Sequence, residues 1–136
     1  MNSQSMNIKR ILVADDELHM IRVVKLFLER AGYKVETASN GQEALDSILL
    51  DPPDVLLTDI NMPHMTGQQL CMELQQRLPE RKFPIFVMTS MTERENRDWT
   101  QKIPNTALLE KPVSMRMLIA DLAKRFAPAA GGQSHG

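Results

Sequence analysis

Asp54-Val55-Leu56-Leu57-Thr58-Asp59-Ile60-Asn61-Met62-Pro63 is a short apolar run that ends on a carboxylate and then breaks into turn chemistry. Pro52-Pro53 stops the preceding helix and delivers Asp54 to Thr58 as the central strand. Three more segments of the same kind surround it. Ile8 to Ala14 precedes Asp15-Asp16, Pro84 to Met88 precedes Thr89, and Thr106 to Glu110 precedes Lys111-Pro112. Parallel strands flanked by crossovers collect such carboxyl ends in one crevice, so residues far apart in sequence can meet there.

Amphipathic stretches fill the intervals. Glu17 to Ala31 places Ile21, Val24 and Leu28 on one stripe, with Gly32 where a helix C′ residue belongs. A short alternating strand, Lys34 to Ala38, follows. Asn40 opens a second helix with Ala44, Leu45, Ile48 and Leu49 inward and Glu43 set for a capping-box contact. Thr66 and Gln69 form a further capping box, leading Leu70, Leu74 and Leu78 into a helix that stops at Pro79. Ser90 to Gln101 is poor in apolar residues, with Thr92-x-x-Glu95 as its only cap signal. Ser114 caps the last helix, with Leu118, Leu122 and Phe126 inward. Five βα units predict a flavodoxin-like, doubly wound (βα)5 sandwich, its five-stranded parallel sheet in the order 2-1-3-4-5.

Composition narrows the class. The chain has 136 residues, 43% of them hydrophobic, which is enough for one core. A formal net charge of −1 gives no reason to expect nucleic acid or an anionic membrane as partner. Cys71 is the single cysteine, so no internal disulfide can form, and the natural expectation is a reducing, cytoplasmic setting. Met1 to Arg10 lacks an apolar signal region, and no stretch approaches a membrane span. Residues 1–7 read as an N-terminal extension, 8–127 as the folded domain and 128–136 as a disordered tail of small and polar residues.

Asp15, Asp16 and Asp59 in one crevice are three negative charges that need a counter-charge. Mg²⁺ suits an all-oxygen site and keeps several waters. Adjacent side chains diverge, so Asp15 and Asp16 cannot both face one ion identically. Lys111 adds a permanent positive charge and Thr89 a hydroxyl donor. A carboxylate is a competent nucleophile toward phosphorus, and phosphoryl transfer needs the neutralisation that metal, lysine and amides supply.

In these four segments the chain strongly resembles the receiver domain of two-component response regulators. The carrying residues are Leu12 to Glu17, Leu57 to Gly67, Val87 to Ser90 and Leu109 to Pro112. The stretch from Asp59 to Gly67 is similar to that of single-domain chemotaxis regulators. The resemblance implies that Asp59 accepts a phosphoryl group from a histidine kinase's phosphohistidine or a small phosphodonor, with Thr89 and Lys111 contacting that group. It implies direct Mg²⁺ ligation by Asp16, Asp59 and the backbone carbonyl of Asn61, Asp15 acting in the outer sphere, and a cis Lys111–Pro112 peptide. A protein of this kind catalyses only its own phosphorylation and dephosphorylation. It meets a histidine kinase or phosphotransfer protein and a downstream protein target, as a monomer or weak dimer.

Some positions depart from the family. Leu108 stands where Tyr or Phe is usual, Val113 where Phe is frequent, and Met91 where polar or acidic residues are common. Ile103-Pro104-Asn105-Thr106 replaces the usual small-residue lead into the last strand. Other readings remain open: a receiver module from a larger regulator or hybrid kinase, an aspartate-nucleophile phosphatase, or a flavodoxin-like cofactor binder. A phosphatase would carry Asp-x-Asp on the first strand and an insertion to hold substrate, and Asp15-Asp16-Glu17 would repel a cofactor phosphate. His19, His64 and His135 lack metal-ligand spacing, although His64 could line the mouth of the site. Cys71 is expected to be a small, partly buried residue, and Trp99 to pack in the core unless it serves docking.

Overall fold

Leu56 and Leu57 are neighbours in sequence but serve different cores, one on each face of a single sheet. The computed structural model describes residues 8–90 and 94–126. The strands are β1 (Arg10–Ala14), β2 (Lys34–Ala38), β3 (Val55–Asp59), β4 (Ile85–Thr89) and β5 (Thr106–Glu110). The helices are α1 (Leu18–Arg30), α2 (Gly41–Leu50), α3 (Gly67–Arg77), α4 (Arg94–Gln101) and α5 (Met115–Arg125). All ladders are parallel and the order is β2-β1-β3-β4-β5, as the alternation of elements requires.

Alternation along each strand decides which helix it meets. Leu12, Leu56, Ile85 and Val87 pack against Ala44, Leu45 and Ile48 of α2, Leu70, Cys71 and Leu74 of α3, and Trp99 of α4. Ile11, Val13, Leu57, Phe86 and Met88 face Val24 and Leu28 of α1 and Leu118 and Leu122 of α5. Burying each such side chain is worth roughly 1.5–3 kcal/mol, so the two layers together fix the sheet between them. β3 and β4 are buried along their whole length, whereas β5 at the edge is only half-buried and its Glu110 is exposed.

Boundaries moved where local chemistry overrode the apolar pattern. β1 starts at Arg10, not Ile8, because Ile8 is exposed and Arg10 is tied to β3's approach by its N–H to Asp54 Oδ2 at 2.7 Å. β4 starts after Pro84, which has no N–H for the ladder. β3 runs one residue further, to Asp59, which pairs in register with Met88. α3 has both halves of its expected capping box, Thr66 with Gln69, and ends at Arg77 with Leu78 as its cap. At α2, Asn40 Oδ1 accepts the Glu43 N–H as a cap should, but the Glu43 carboxylate reaches Ser39 instead of Asn40. Phe126 is half-buried past the end of α5 and tilts against Tyr33. Met91 and Thr92, with the cap expected from Thr92, lie outside the described residues, as do residues 1–7, the tail from 127 onward and His135.

Candidate functional site at the carboxyl ends of β1, β3 and β5

β1 and β3 are adjacent, while the chain leaves them toward opposite edges of the sheet. That divergence opens a crevice over their carboxyl ends. Asp15, the residue after β1, extends the ladder by donating its N–H to the Ala38 carbonyl at 3.1 Å. Its side chain is fully buried, and Oδ1 accepts the Glu17 N–H at 2.9 Å, which turns the chain into α1. Oδ2 has no hydrogen-bond partner. Asp16 is exposed, pointing away from the core, as divergence of adjacent side chains demands. One carboxylate oxygen from each of Asp15, Asp16 and Asp59 lies within 4.8 Å of the others.

Lys111 closes the group from β5. Its Nζ is 2.8 Å from Asp59 Oδ1 and 3.8 Å from Asp15 Oδ2. The Lys111 N–H donates to the Thr89 carbonyl at 2.7 Å, which ties its backbone to the end of β4, and the Lys111–Pro112 peptide is cis. Thr89 ends β4 one strand from Asp59 and is buried. Asn61 is exposed in the loop after β3. That loop is held at each end. The Gly67 N–H donates to the Ile60 carbonyl at 2.7 Å, and Met62 is buried in the core. Gly67 tolerates no side chain, since a Cβ there would lie 2.1 Å from the Asp59 carbonyl oxygen.

Electrostatics explain what the group lacks. Burial pushes the Asp15 carboxyl up from its ordinary value; the Glu17 N–H counters this, the Asp59 charge adds to it, and Lys111 opposes it. For Lys111, burial alone would lower the ammonium. The hydrogen bond to Asp59 and the charges of Asp59, Asp15 and Glu17 outweigh burial and raise it. One ammonium against three carboxylates leaves an excess of negative charge, and a buried oxygen without a partner costs about 1–3 kcal/mol. An all-oxygen donor set with one orphaned carboxylate oxygen fits a hard divalent cation such as Mg²⁺.

A family model described as the response regulator receiver domain matches residues 11–123. The chain belongs to this family. The receiver domain is 34% identical over 108 residues to the alkaline phosphatase synthesis transcriptional regulatory protein PhoP of Bacillus subtilis, covering 79% of this chain and 44% of that protein. It is 31% identical over 113 residues to the transcriptional regulatory protein ResD of Bacillus subtilis, covering 83% and 46%. The chain thus spans about half the length of the curated relatives it matches. Among solved structures it is similar to the chemotaxis response regulator CheY4 of Vibrio cholerae, at 30% identity and a TM-score of 0.78, over 87% of this chain and 98% of that one. A CheY-like receiver domain protein from Methanospirillum hungatei aligns with a TM-score of 0.80 at 28% identity, over 88% and 94%.

Most of the receiver domain's sequence-expected site residues meet in one place. Asp15, Asp16, Asp59 and Lys111 form one side-chain cluster, and Thr89 joins it through the backbone of Lys111. Cys71 is fully buried, not partly, and burial pushes its thiol up to about 12. Trp99 is a core residue whose indole N–H donates to Asn96 Oδ1 at 3.0 Å. His64 is exposed at a positive φ of 66° in the loop after Asp59. One contact of the site comes from a residue outside the motif segments, Ala38, and like the contact from Glu17 it is made by a backbone group. Among the described residues no helix is long and apolar enough to cross a membrane.

Proposed function

We propose that this receiver domain accepts a phosphoryl group from a protein phosphohistidine onto Asp59 and signals by changing its protein contacts. The observation that carries the reading is the convergence of Asp15, Asp16 and Asp59 with Lys111 Nζ 2.8 Å from Asp59 Oδ1. A carboxylate oxygen of Asp59 attacks phosphorus. A P–O bond forms as the P–N bond to imidazole breaks, and the electron pair returns to the ring nitrogen, which takes a proton from solvent. Lys111 neutralises charge on the transferring oxygens, and the Thr89 hydroxyl donates to one of them. Asp16, Asp59 and the Asn61 carbonyl would hold Mg²⁺ directly, with Asp15 holding a coordinated water. Held there, Mg²⁺ would supply positive charge to the phosphoryl oxygens.

Residues 8–127 form the proposed receiver unit, in a cytoplasmic protein that is a monomer or weak dimer. It turns over no substrate but its own acyl phosphate. The proposed partners are a histidine kinase or phosphotransfer protein and one protein target. PhoP and ResD are named as transcriptional regulators; for this chain the proposal extends to the input step they share by family, not to their targets. Incubation with acetyl phosphate and Mg²⁺ should add one phosphoryl group. Asp59→Asn should abolish the addition and EDTA should suppress it. Stable labelling of the Asn variant at another residue would overturn the assignment.

A further inference from the structure

The turn between β2 and α2 carries none of the site's chemistry, yet it touches both acidic loops. At its first residue the Ala38 carbonyl accepts the Asp15 N–H at 3.1 Å, and at its last the Gly41 N–H donates to the Met65 carbonyl at 3.1 Å. We propose that this turn, Ala38 to Gly41, is the positioning element of the Mg²⁺ site, setting the separation between the Asp15-Asp16 loop and the loop that presents Asn61. The inference rests on the reading of the crevice as a Mg²⁺ site.

The turn is built stiff. Glu43 Oε1 accepts both the Ser39 N–H at 2.7 Å and the Ser39 hydroxyl at 2.9 Å, while Asn40 Oδ1 accepts the Glu43 N–H at 2.8 Å. These bonds hold the Glu43 carboxyl below its ordinary value, so the buckle stays charged at neutral pH. Gly41 is buried, and its contact is backbone against backbone. A Cβ there would lie 2.2 Å from the Met65 carbonyl oxygen and 2.8 Å from both Met65 C and Cβ. No rotamer change relieves such a clash.

Something must then move, and the core decides what. α2 is anchored by Ala44, Leu45 and Ile48, all buried under the sheet. The far end of the loop is pinned where Gly67 abuts the Asp59 carbonyl. Displacement therefore falls on the loop between them, residues 61–65, in which Asn61, Pro63 and His64 are exposed and which carries the Asn61 carbonyl. Mg²⁺ demands near-ideal octahedral geometry at about 2.1 Å, so a carbonyl shifted by a fraction of an ångström is a poorer ligand. Residues outside the ligand shell that orient ligands commonly change metal affinity when replaced.

The test is a Mg²⁺ titration of the full chain followed by the amide shifts of Asp16 and Asn61. Gly41→Ala is expected to weaken Mg²⁺ by about tenfold or more, the usual size for loss of an orienting contact. Its labelling by acetyl phosphate at saturating Mg²⁺ should stay at the wild-type rate, so the defect appears only as a higher half-saturating Mg²⁺ concentration. Gly32→Ala is the control. Its φ of +104° makes a side chain strained with nothing within 4 Å, so it loses fold stability away from the site and should keep wild-type affinity. Glu43→Ala removes both Ser39 bonds without a clash and should weaken Mg²⁺ by up to about tenfold, deciding the matter should Gly41→Ala not fold. A wild-type chain that does not bind Mg²⁺ would overturn the reading of the site itself. Wild-type binding with unchanged affinity in the folded variants would overturn the positioning role alone.

Discussion

Lys111 Nζ lies 2.8 Å from Asp59 Oδ1, so the cation of the crevice rests on the group read as nucleophile. The contact has two consequences. It sets a positive charge against both Asp59 and the buried Asp15, whose own distance to Lys111 is 3.8 Å. Under the proposed phosphorylation of Asp59, it also places an ammonium beside the charge of the transferred group.

Replacing Lys111 by Gln should separate metal binding from phosphoryl transfer. Removing a positive charge beside three carboxylates makes the crevice more negative, so Mg²⁺ should bind at least as tightly as in the parent chain. Labelling of Asp59 by acetyl phosphate should fall by about 10²-fold, the scale of losing one preorganised electrostatic stabiliser. Equal losses in both measurements would mean that Lys111 mainly supports the fold of the site.

Asp15 and Asp16 should differ in sign as well as size. Relief of like-charge repulsion should be larger at Asp15, which is fully buried, carries an oxygen without a hydrogen-bond partner and has its carboxyl pushed up by burial. Without metal, Asp15→Asn should stabilise the fold on the order of 1 kcal/mol, and exposed Asp16→Asn by less. With Mg²⁺ the advantage should disappear, and Asp16→Asn should show the weaker binding. Thermal unfolding at zero and saturating Mg²⁺ measures both effects; identical curves for the two variants would refute the division.

The fold was legible in the sequence because each strand ends on a distinctive residue and each interval has helical spacing. Leu56 and Leu57 could be placed in the central strand from the run alone, and the structure puts one on each face. What periodicity could not supply was the backbone traffic between loops. Nothing in the residue types of Ala38 or Gly41 marks them as touching Asp15 and Met65, since carbonyl and N–H groups are common to all positions. The Asn40-Gly41 dipeptide was the available signal, and it reads equally well as an ordinary helix start. The destination of the Glu43 carboxylate was missed for the same reason, as Ser39 and Asn40 offer neighbouring N–H groups to one short reach.

Cys71 should be chemically silent. It is fully buried between α3 and the sheet, and burial pushes its thiol from 9.0 up to about 12. Little thiolate exists near pH 8, so alkylation by iodoacetamide should proceed only through unfolding, at a rate that tracks added denaturant. The sign of the pH dependence follows from the raised value. The folded state keeps the proton that the unfolded chain releases above 9, so this group's stabilisation is complete below pH 9 and is lost as pH rises through about 12. Fast alkylation of the native protein at pH 8 would contradict the placement.

Activation should reach α4, and Trp99 is the natural reporter. Thr89 and Lys111 link the crevice to β4 and β5, on which α4 packs through Trp99 and Leu108. Leu108 has no ring or phenol to reorient, so the change must run through the segment after Thr89 and through α4 itself. α4 has one face in the core, Trp99 and Thr100, and otherwise exposed polar residues, which makes it easier to shift than α2 or α3. Beryllofluoride, a mimic of the acyl phosphate, should therefore alter Trp99 emission and the amide shifts of Ser90, Trp99 and Leu108 when Mg²⁺ is present. Thr89→Ala should bind the mimic at the Asp59 site yet transmit less of the change, because the hydroxyl would draw β4's end toward the new oxygens. Shifts confined to the loops of Asp16, Asp59 and Lys111, with Trp99 emission unmoved, would show that output leaves the domain by another face.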